Sequence, residues 1–86
     1  MHWYRVRAEH VSKLDISKIT AEMEALDPGI EVIASGPCHI FEGDALWIVQ
    51  SHEAMGNQLQ DVVWRYNNGA CCDQSEIEQD QVEDWL

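Results

Sequence analysis

Residues 45–50, Ala-Leu-Trp-Ile-Val-Gln, form an apolar run that limits the folds open to this chain. Because side chains alternate across a strand, Leu46 and Ile48 would point to one side. Trp47 and Val49 would then point to the other side, so both faces would be apolar. A strand of this kind is normally central in its sheet and covered on both faces. We therefore expect either that layers within the chain cover both faces or that a second copy covers one of them.

A hairpin is predicted to bring a second strand beside this run. Residues 30–35 predict a strand whose first, third and fifth side chains form its more apolar face. Gly36 and Pro37 are expected to interrupt it, because proline has no N–H for a ladder and glycine permits a bend. Residues 38–41 would resume the strand, and residues 42–44 would form a three-residue loop with a glycine at positive φ.

Residues 2–10 predict the first strand of the chain, with alternating inward and outward side chains. The side chains expected to face inward are Tyr4, Val6 and Ala8. Those expected to face outward are Trp3, Arg5, Arg7 and Glu9. The outward set suits contact with a partner, although a solvated strand face is the commoner explanation of such a pattern.

Two amphipathic helices are predicted from apolar residues at helical spacing. Asp15 is a good N-cap for the first helix, and Ser12 is the alternative if the helix begins three residues earlier. The apolar stripe of this helix is Ile16, Ile19, Met23 and Leu26. Ser51 is the candidate N-cap of the second helix. The stripe of the second helix is Met55, Leu59, Val62, Val63 and Tyr66.

The end of the sequence is acidic, with six acids and no base in residues 73–86. From Ser75 this segment is expected to form a short helix with Val82, Trp85 and Leu86 on one face. Most of the carboxylates would lie on the other face. We therefore divide the chain into a single α+β domain, residues 1–72, and an acidic C-terminal helical tail, residues 73–86.

The predicted order β-α-β-β-α-tail favours an α+β fold with an antiparallel sheet and both helices on one face. The simplest arrangement is a split βαβ, half of a ferredoxin-like sandwich, with the third strand between the first and second. Residues 70–72 would be a very short edge strand or a loop. The fourth strand of such a sheet is thus expected to be missing or vestigial.

No motif in the sequence indicates catalysis, a cofactor or a metal site. Cys38, His39, Cys71 and Cys72 are spaced unlike a structural zinc site, which usually draws ligands from C-x2–4-C pairs. The four histidines are scattered, and the five glycines are isolated rather than grouped into a phosphate-binding loop. We therefore expect a non-enzymatic protein that holds no cofactor and no metal.

The formal net charge is −11, from sixteen acids and five bases. Direct binding to nucleic acid is therefore not expected, because phosphate neutralisation requires a basic face. No apolar run approaches the roughly 20 residues that span a bilayer. The three cysteines, an odd number, do not suit a secreted disulfide framework, so we expect a cytoplasmic protein with reduced thiols.

These features together favour a small acidic module that binds a protein with a basic surface. Its specific form would be an inhibitor or decoy that mimics nucleic acid, a character shared in size and charge with small acidic inhibitors of phages and mobile elements. The residues expected to contact the partner are Glu76, Glu78, Asp80, Glu83, Asp84, Trp85 and Leu86.

Two other classes of function stay open on the sequence. One is a homodimeric structural or adaptor protein whose acidic tail only increases solubility, with Trp3 and Trp47 as candidate dimer contacts. The other is a small-molecule or metal-binding domain that uses Cys38, His39 and Trp47 near the hairpin.

Overall fold

The computed structural model describes the whole chain, residues 1–86, and confirms the predicted α+β fold class. The elements follow in the order β1 (His2–Ala8), α1 (Lys13–Ala25), β2 (Ile30–Pro37), β3 (Ala45–Ser51), α2 (Gln58–Trp64), β4 (Cys72–Ile77), a 3-10 turn (Gln79–Gln81) and α3 (Val82–Trp85). No helix has the length and apolar character needed to cross a membrane.

The four strands form one antiparallel sheet in the order β2-β3-β1-β4. The third strand therefore lies between the first and second, as the apolar character of both its faces predicts. Val6 of β1 lies opposite Trp47, and Val32 of β2 lies opposite Val49. These side chains share one face of the sheet, which we call the near face; the opposite one is the far face.

The main core lies between the near face and the helices α1 and α2. Its buried members are Tyr4, Val6, Ala8, Ile19, Met23, Ile30, Ala45, Trp47, Val49, Leu59, Val62 and Val63. The two large aromatic residues have partners for their polar atoms, as buried Tyr and Trp usually do. The Trp47 indole N–H donates to Thr20 Oγ1 at 3.1 Å, and the Tyr4 hydroxyl accepts from the Met55 N–H at 2.8 Å.

The helices differ from prediction mainly at their starts. Ser12, the alternative cap, is the N-cap of α1, and its hydroxyl accepts from the Asp15 N–H at 3.2 Å. The second helix does not begin after Ser51, which is the last residue of β3 and donates its hydroxyl to the Glu53 carbonyl instead. It begins at Gln58, and only Leu59, Val62 and Val63 of its predicted stripe are fully buried.

A β-bulge at Ile33 changes which residues of β2 share a face. Val32 pairs with Val49 and Ala34 pairs with Ile48, so Ile33 is one extra residue on β2. Because side chains alternate, this extra residue moves Ala34 to the far face, away from Val32. The prediction that the first, third and fifth residues of this strand share a face is therefore wrong.

The predicted interruption at Gly36 and Pro37 is also wrong, since β2 continues through Pro37. The residues that were expected to resume the strand belong instead to a loop, residues 38–44, between β2 and β3. Gly43 in this loop has a φ of 90°, the positive value that its position predicts.

The acidic C-terminal part is not a helix from Ser75, and that prediction is wrong. Residues Cys72–Ile77 form β4, which pairs antiparallel with β1. The fourth strand, expected to be missing or vestigial, is thus six residues long. Only the residues after it, from Gln79 to Trp85, turn helical. The boundary drawn between residues 72 and 73 falls inside an edge strand of the sheet.

A substitution at Leu46 tests the burial of the far face. The side chain is only 6% exposed, although it points away from α1 and α2. We expect Leu46→Ala to lower the free energy of unfolding by about 2–4 kcal/mol, because it deletes buried methyl groups and leaves a cavity. Leu14→Ala is the matched control, since Leu14 is 80% exposed and its loss should cost under about 0.5 kcal/mol. Similar denaturant midpoints for the two variants would contradict a covered far face.

Candidate binding surface

The far face of the sheet carries two arginines beside two apolar residues. Arg5 lies opposite Ile48 and Arg7 lies opposite Leu46 in the β1–β3 register. Ile48 is completely buried although the main core lies on the other side of the sheet. The cover comes from the β2–β3 loop, residues 38–44, and from residues 78–86, which we call the C-terminal segment.

Aromatic and arginine side chains hold this cover in place. The Arg5 guanidinium lies 4.6 Å from the centroid of the Trp85 ring, and the Arg7 guanidinium lies 3.9 Å from that of Phe41. The two rings stack with centroids 6.3 Å apart and planes inclined by 21°. Val82, one turn before Trp85, is buried as well. The C-terminal segment is therefore packed against the sheet and does not project from it.

This packing limits how much of Trp85 can reach a partner. The ring is half-buried between Arg5 and Phe41, so partner contact through its exposed part stays a prediction. Leu86 differs, because 59% of its surface is exposed. Phe41 did not figure among the predicted site residues. The sequence signal that could have identified it is the outward pair Arg5 and Arg7 on the first strand, because arginines on a covered sheet face require aromatic or acidic side chains against them.

All three arginines of the chain are paired with carboxylates of the chain itself. Arg5 donates to the Asp73 carboxylate and, at 2.7 Å, to Ser75 Oγ. Arg7 lies 3.7 Å from Asp44, and Arg65 lies 3.1 Å from Glu22. Of the sixteen carboxylates, these pairs occupy three and leave thirteen without an arginine or lysine partner. The two lysines, Lys13 and Lys18, are exposed and make no ion pair.

The structure brings together some of the acids predicted to bind a partner and separates others. Glu78, Asp80 and Glu83 line one shallow groove on the C-terminal segment. Asp84 is exposed beside them in sequence, in α3. Glu76 is set apart, because it lies in β4 opposite Tyr4, on the near face, where its carboxylate is 2.9 Å from His2 Nδ1.

The candidate dimer contacts are separated in the same way. Trp47 is completely buried in the main core, so its assignment as a dimer contact is wrong. Trp3 is half-buried on β1, opposite Gln50 of β3 and Ile77 of β4. Both faces of β3 are covered within the chain, which was the first of the two arrangements expected. Homodimerisation itself stays a prediction, but the uncovered face of β3 that motivated it is absent.

The cysteines and the histidine near the hairpin do not converge. Cys38 is buried in the loop, where its sulfur accepts from the Phe41 N–H at 3.4 Å, while His39 is exposed. Cys71 is exposed and Cys72 is half-buried at the start of β4. No group of three or more His, Cys, Asp or Glu side chains is arranged to hold a metal ion.

Comparison with known proteins identifies no relative of this chain. No protein-family model, curated protein or solved structure gives a significant match.

A double-mutant cycle on Arg5 and Trp85 tests how the C-terminal segment is held. The Arg5 side chain is only 12% exposed, so its contact with the ring is poorly screened by water. We expect Trp85→Ala and Arg5→Gln each to lower the free energy of unfolding, with a coupling of about 0.5–2 kcal/mol. Leu86→Ala, combined with Arg5→Gln, is the control and should show no coupling. Additive effects of Trp85→Ala and Arg5→Gln would show that the segment is held by other contacts.

Thiol reactivity tests the placement of the adjacent cysteines. Burial, with smaller effects of the charges at Asp73 and Cys71, raises the pKa of the Cys72 thiol from 9.0 to about 11. A raised pKa leaves less of the nucleophilic thiolate at a given pH. At pH 8 we therefore expect iodoacetamide to modify the exposed Cys71 first and Cys72 much more slowly, as read by mass spectrometry of peptides. Cys38, which is buried, should react only on unfolding. Equal rates at the three positions would contradict this arrangement.

Proposed function

We propose that this chain is a small, non-enzymatic acidic module that binds a protein partner with a basic surface. Its specific form would be an inhibitor or decoy that occupies a nucleic-acid-binding surface in place of the nucleic acid. The observation that supports this proposal most is the internal neutralisation of all three arginines. Thirteen carboxylates are left without an arginine or lysine partner against two unpaired lysines, so negative charge is in large excess on the protein.

Such a field acts mainly on the rate of association. Charged surfaces of opposite sign steer partners together and raise association rates, and salt weakens the effect. The C-terminal segment is the part of this surface with the best case for direct contact. Its exposed carboxylates at Asp80, Glu83 and Asp84 lie within six residues of Leu86, whose apolar side chain is also exposed.

The manner of mimicry differs from the one expected for a helical tail. Along a continuous helix the carboxylates would follow one another at a spacing close to that of phosphates. Residues 73–77 instead lie in an edge strand, and Glu76 lies on the opposite face from the C-terminal segment. We therefore propose recognition through a broad acidic surface that is fixed on a folded scaffold. The three unpaired cysteines support the further proposal that it works in the reducing cytoplasm.

A homodimeric adaptor is the second candidate, favoured by exposed apolar residues on β2 and its loop. Ile33, Ile40 and Phe41 each expose more than two fifths of their surface. Sedimentation at micromolar concentration separates the two candidates, because the adaptor would sediment as a dimer without any partner. A monomer would favour the acidic binding module.

Two neutralised variants with equal charge test the proposed function. One carries Asp80→Asn, Glu83→Gln and Asp84→Asn in the C-terminal segment. The matched control carries Glu9→Gln, Glu53→Gln and Asp61→Asn, three acids that are also exposed and lie elsewhere. Glu76 and Glu78 are left unchanged, because Glu76 contacts His2 and Glu78 stands at the start of the 3-10 turn. The wild type and both variants are immobilised, and capture from a native lysate is quantified at low and high salt.

We expect a basic partner that duplex DNA displaces from the wild type. An exposed ion pair contributes about 0.2–1 kcal/mol, so losing three should weaken binding on the order of 3- to 100-fold. The loss should lie mainly in the association rate and shrink above about 0.15 M salt, where the Debye length falls below about 8 Å. Equal binding by all three proteins would refute the proposal. Equal weakening by both variants would place the contact outside the C-terminal segment.

A further inference from the structure

The strand β2 forms one edge of the sheet, because it pairs with β3 alone. In an antiparallel pair, the residues of a strand alternate. The N–H and C=O of one residue bond to the neighbouring strand, and those of the next residue point away from it. At the hairpin end the Cys38 N–H donates to the Asp44 carbonyl at 2.8 Å, which fixes the phase of this alternation. Counting back along β2, the N–H and C=O of Ser35 point to the open edge. The side chain of Ser35 is exposed as well.

A carboxylate already occupies another donor on this edge. The Val32 N–H points away from β3 and donates to the Glu24 Oε2 of α1 at 3.4 Å. This contact is long for a hydrogen bond to a charged acceptor, so a better aligned carbonyl of an added strand competes with it. The bulge at Ile33 separates Val32 from the regular part of the edge, residues 34–37. An added strand is therefore short.

A shallow pocket lies on the far face beside this regular part. It has a volume of about 180 Å³, and Ala34, Pro37, Leu46, Trp85 and Leu86 contribute its apolar lining. The pocket joins the β2 edge to the C-terminal segment, because Trp85 and Leu86 belong to that segment. A side chain of an added strand that points to the far face would enter this pocket, where an aliphatic group fits the lining.

The charge around the edge determines which segment it accepts. Glu24 lies on the α1 side of the edge, and Glu31, which is exposed, lies on β2 itself. Glu83 and Asp84 precede the two residues of the C-terminal segment that line the pocket. The strand β2 carries no lysine or arginine. Cationic side chains on an added strand are therefore favoured by the charge around it, whereas a second copy of a chain with net charge −11 is repelled.

We propose that the edge of β2 accepts an extended segment of the partner as a fifth strand, with lysine or arginine alternating with aliphatic residues. The basic character of this segment rests on the proposed function. Backbone hydrogen bonds at Ser35 supply the affinity, and the pocket beside Trp85 selects an aliphatic side chain. The charge selects a basic segment over an acidic one.

Three synthetic hexapeptides test this docking mode without knowledge of the natural partner. The first alternates lysine and valine. The second has the same side chains but N-methyl groups on every other residue, which block strand pairing. The third replaces lysine by glutamate. Binding is measured by fluorescence anisotropy, and amide chemical shifts of labelled protein report the place.

We expect the lysine peptide to bind with shifts at Ser35 and its neighbours, and the other two to bind at least about tenfold more weakly. Ser35→Pro, which removes the outward N–H at an edge position that tolerates proline, should weaken the lysine peptide to the same degree. Ser35→Ala keeps the N–H and should bind like the wild type. Equal binding of the N-methylated and parent peptides, or no binding at about 1 mM, would overturn the proposal. Because the N-methyl comparison uses the wild-type protein, it holds even if Ser35→Pro impairs folding.

The natural partner then separates this inference from the proposed function. One outcome refutes docking at the β2 edge and leaves the proposed function in place. In that outcome the variant with neutral Asp80, Glu83 and Asp84 loses partner binding, whereas Ser35→Pro binds the partner like the wild type. The opposite outcome refutes the proposed function instead. In that outcome the lysine peptide binds at β2, but neutralising the acids does not change capture of the partner. If the protein alone forms dimers and Ser35→Pro abolishes them, the edge binds a second copy of the chain. That result would overturn the proposal that the edge binds a basic segment of a partner.

Discussion

The structure depends on the burial of β3 on both of its faces. Trp47 and Val49 are covered by α1 and α2. Leu46 and Ile48 are covered by the β2–β3 loop and the C-terminal segment, which do not form a regular layer of helices or strands. Each such side chain contributes about 1.5–3 kcal/mol when removed from water. A domain of 86 residues has a small core, so it cannot leave one of these faces open. The C-terminal segment and the β2–β3 loop therefore belong to the fold.

This requirement also explains where the positive charges lie. Arg5 and Arg7 share the far face with the apolar side chains of β3, and covering that face brings the two guanidinium groups out of water. Aromatic rings on one side and carboxylates on the other compensate for the lost hydration. The acidic surface is thus partly a consequence of packing. Covering the far face uses the arginines internally and leaves most acids to the solvent.

The sequence predicted the elements that depend on local periodicity and missed those that depend on distant partners. The two-faced character of β3 was enough to place it inside the sheet, and the stripes of both helices identified Ile19, Met23 and Leu59 in the core. The acidic residues of β4 have low strand propensity, and their pairing rests on β1, about seventy positions away. The bulge at Ile33 could not be predicted from the alternation of side chains. It is defined by the pairing of β2 with β3, in which Ile33 has no partner residue, and the sequence of β2 alone does not show that pairing.

The candidate site was predictable in composition but not in arrangement. Net charge and the exposed acids follow directly from the residue types, whereas the grouping of Asp80 and Glu83, apart from Glu76, follows from the turn after β4. That same strand has a consequence for the order of events during synthesis. Because β1 pairs with both β3 and β4, it has no complete set of neighbours until residues 72–77 have been made. Pairing over such separations is slow, so the sheet is completed only after translation of β4, and the nascent chain exposes the β4 edge of β1 until then.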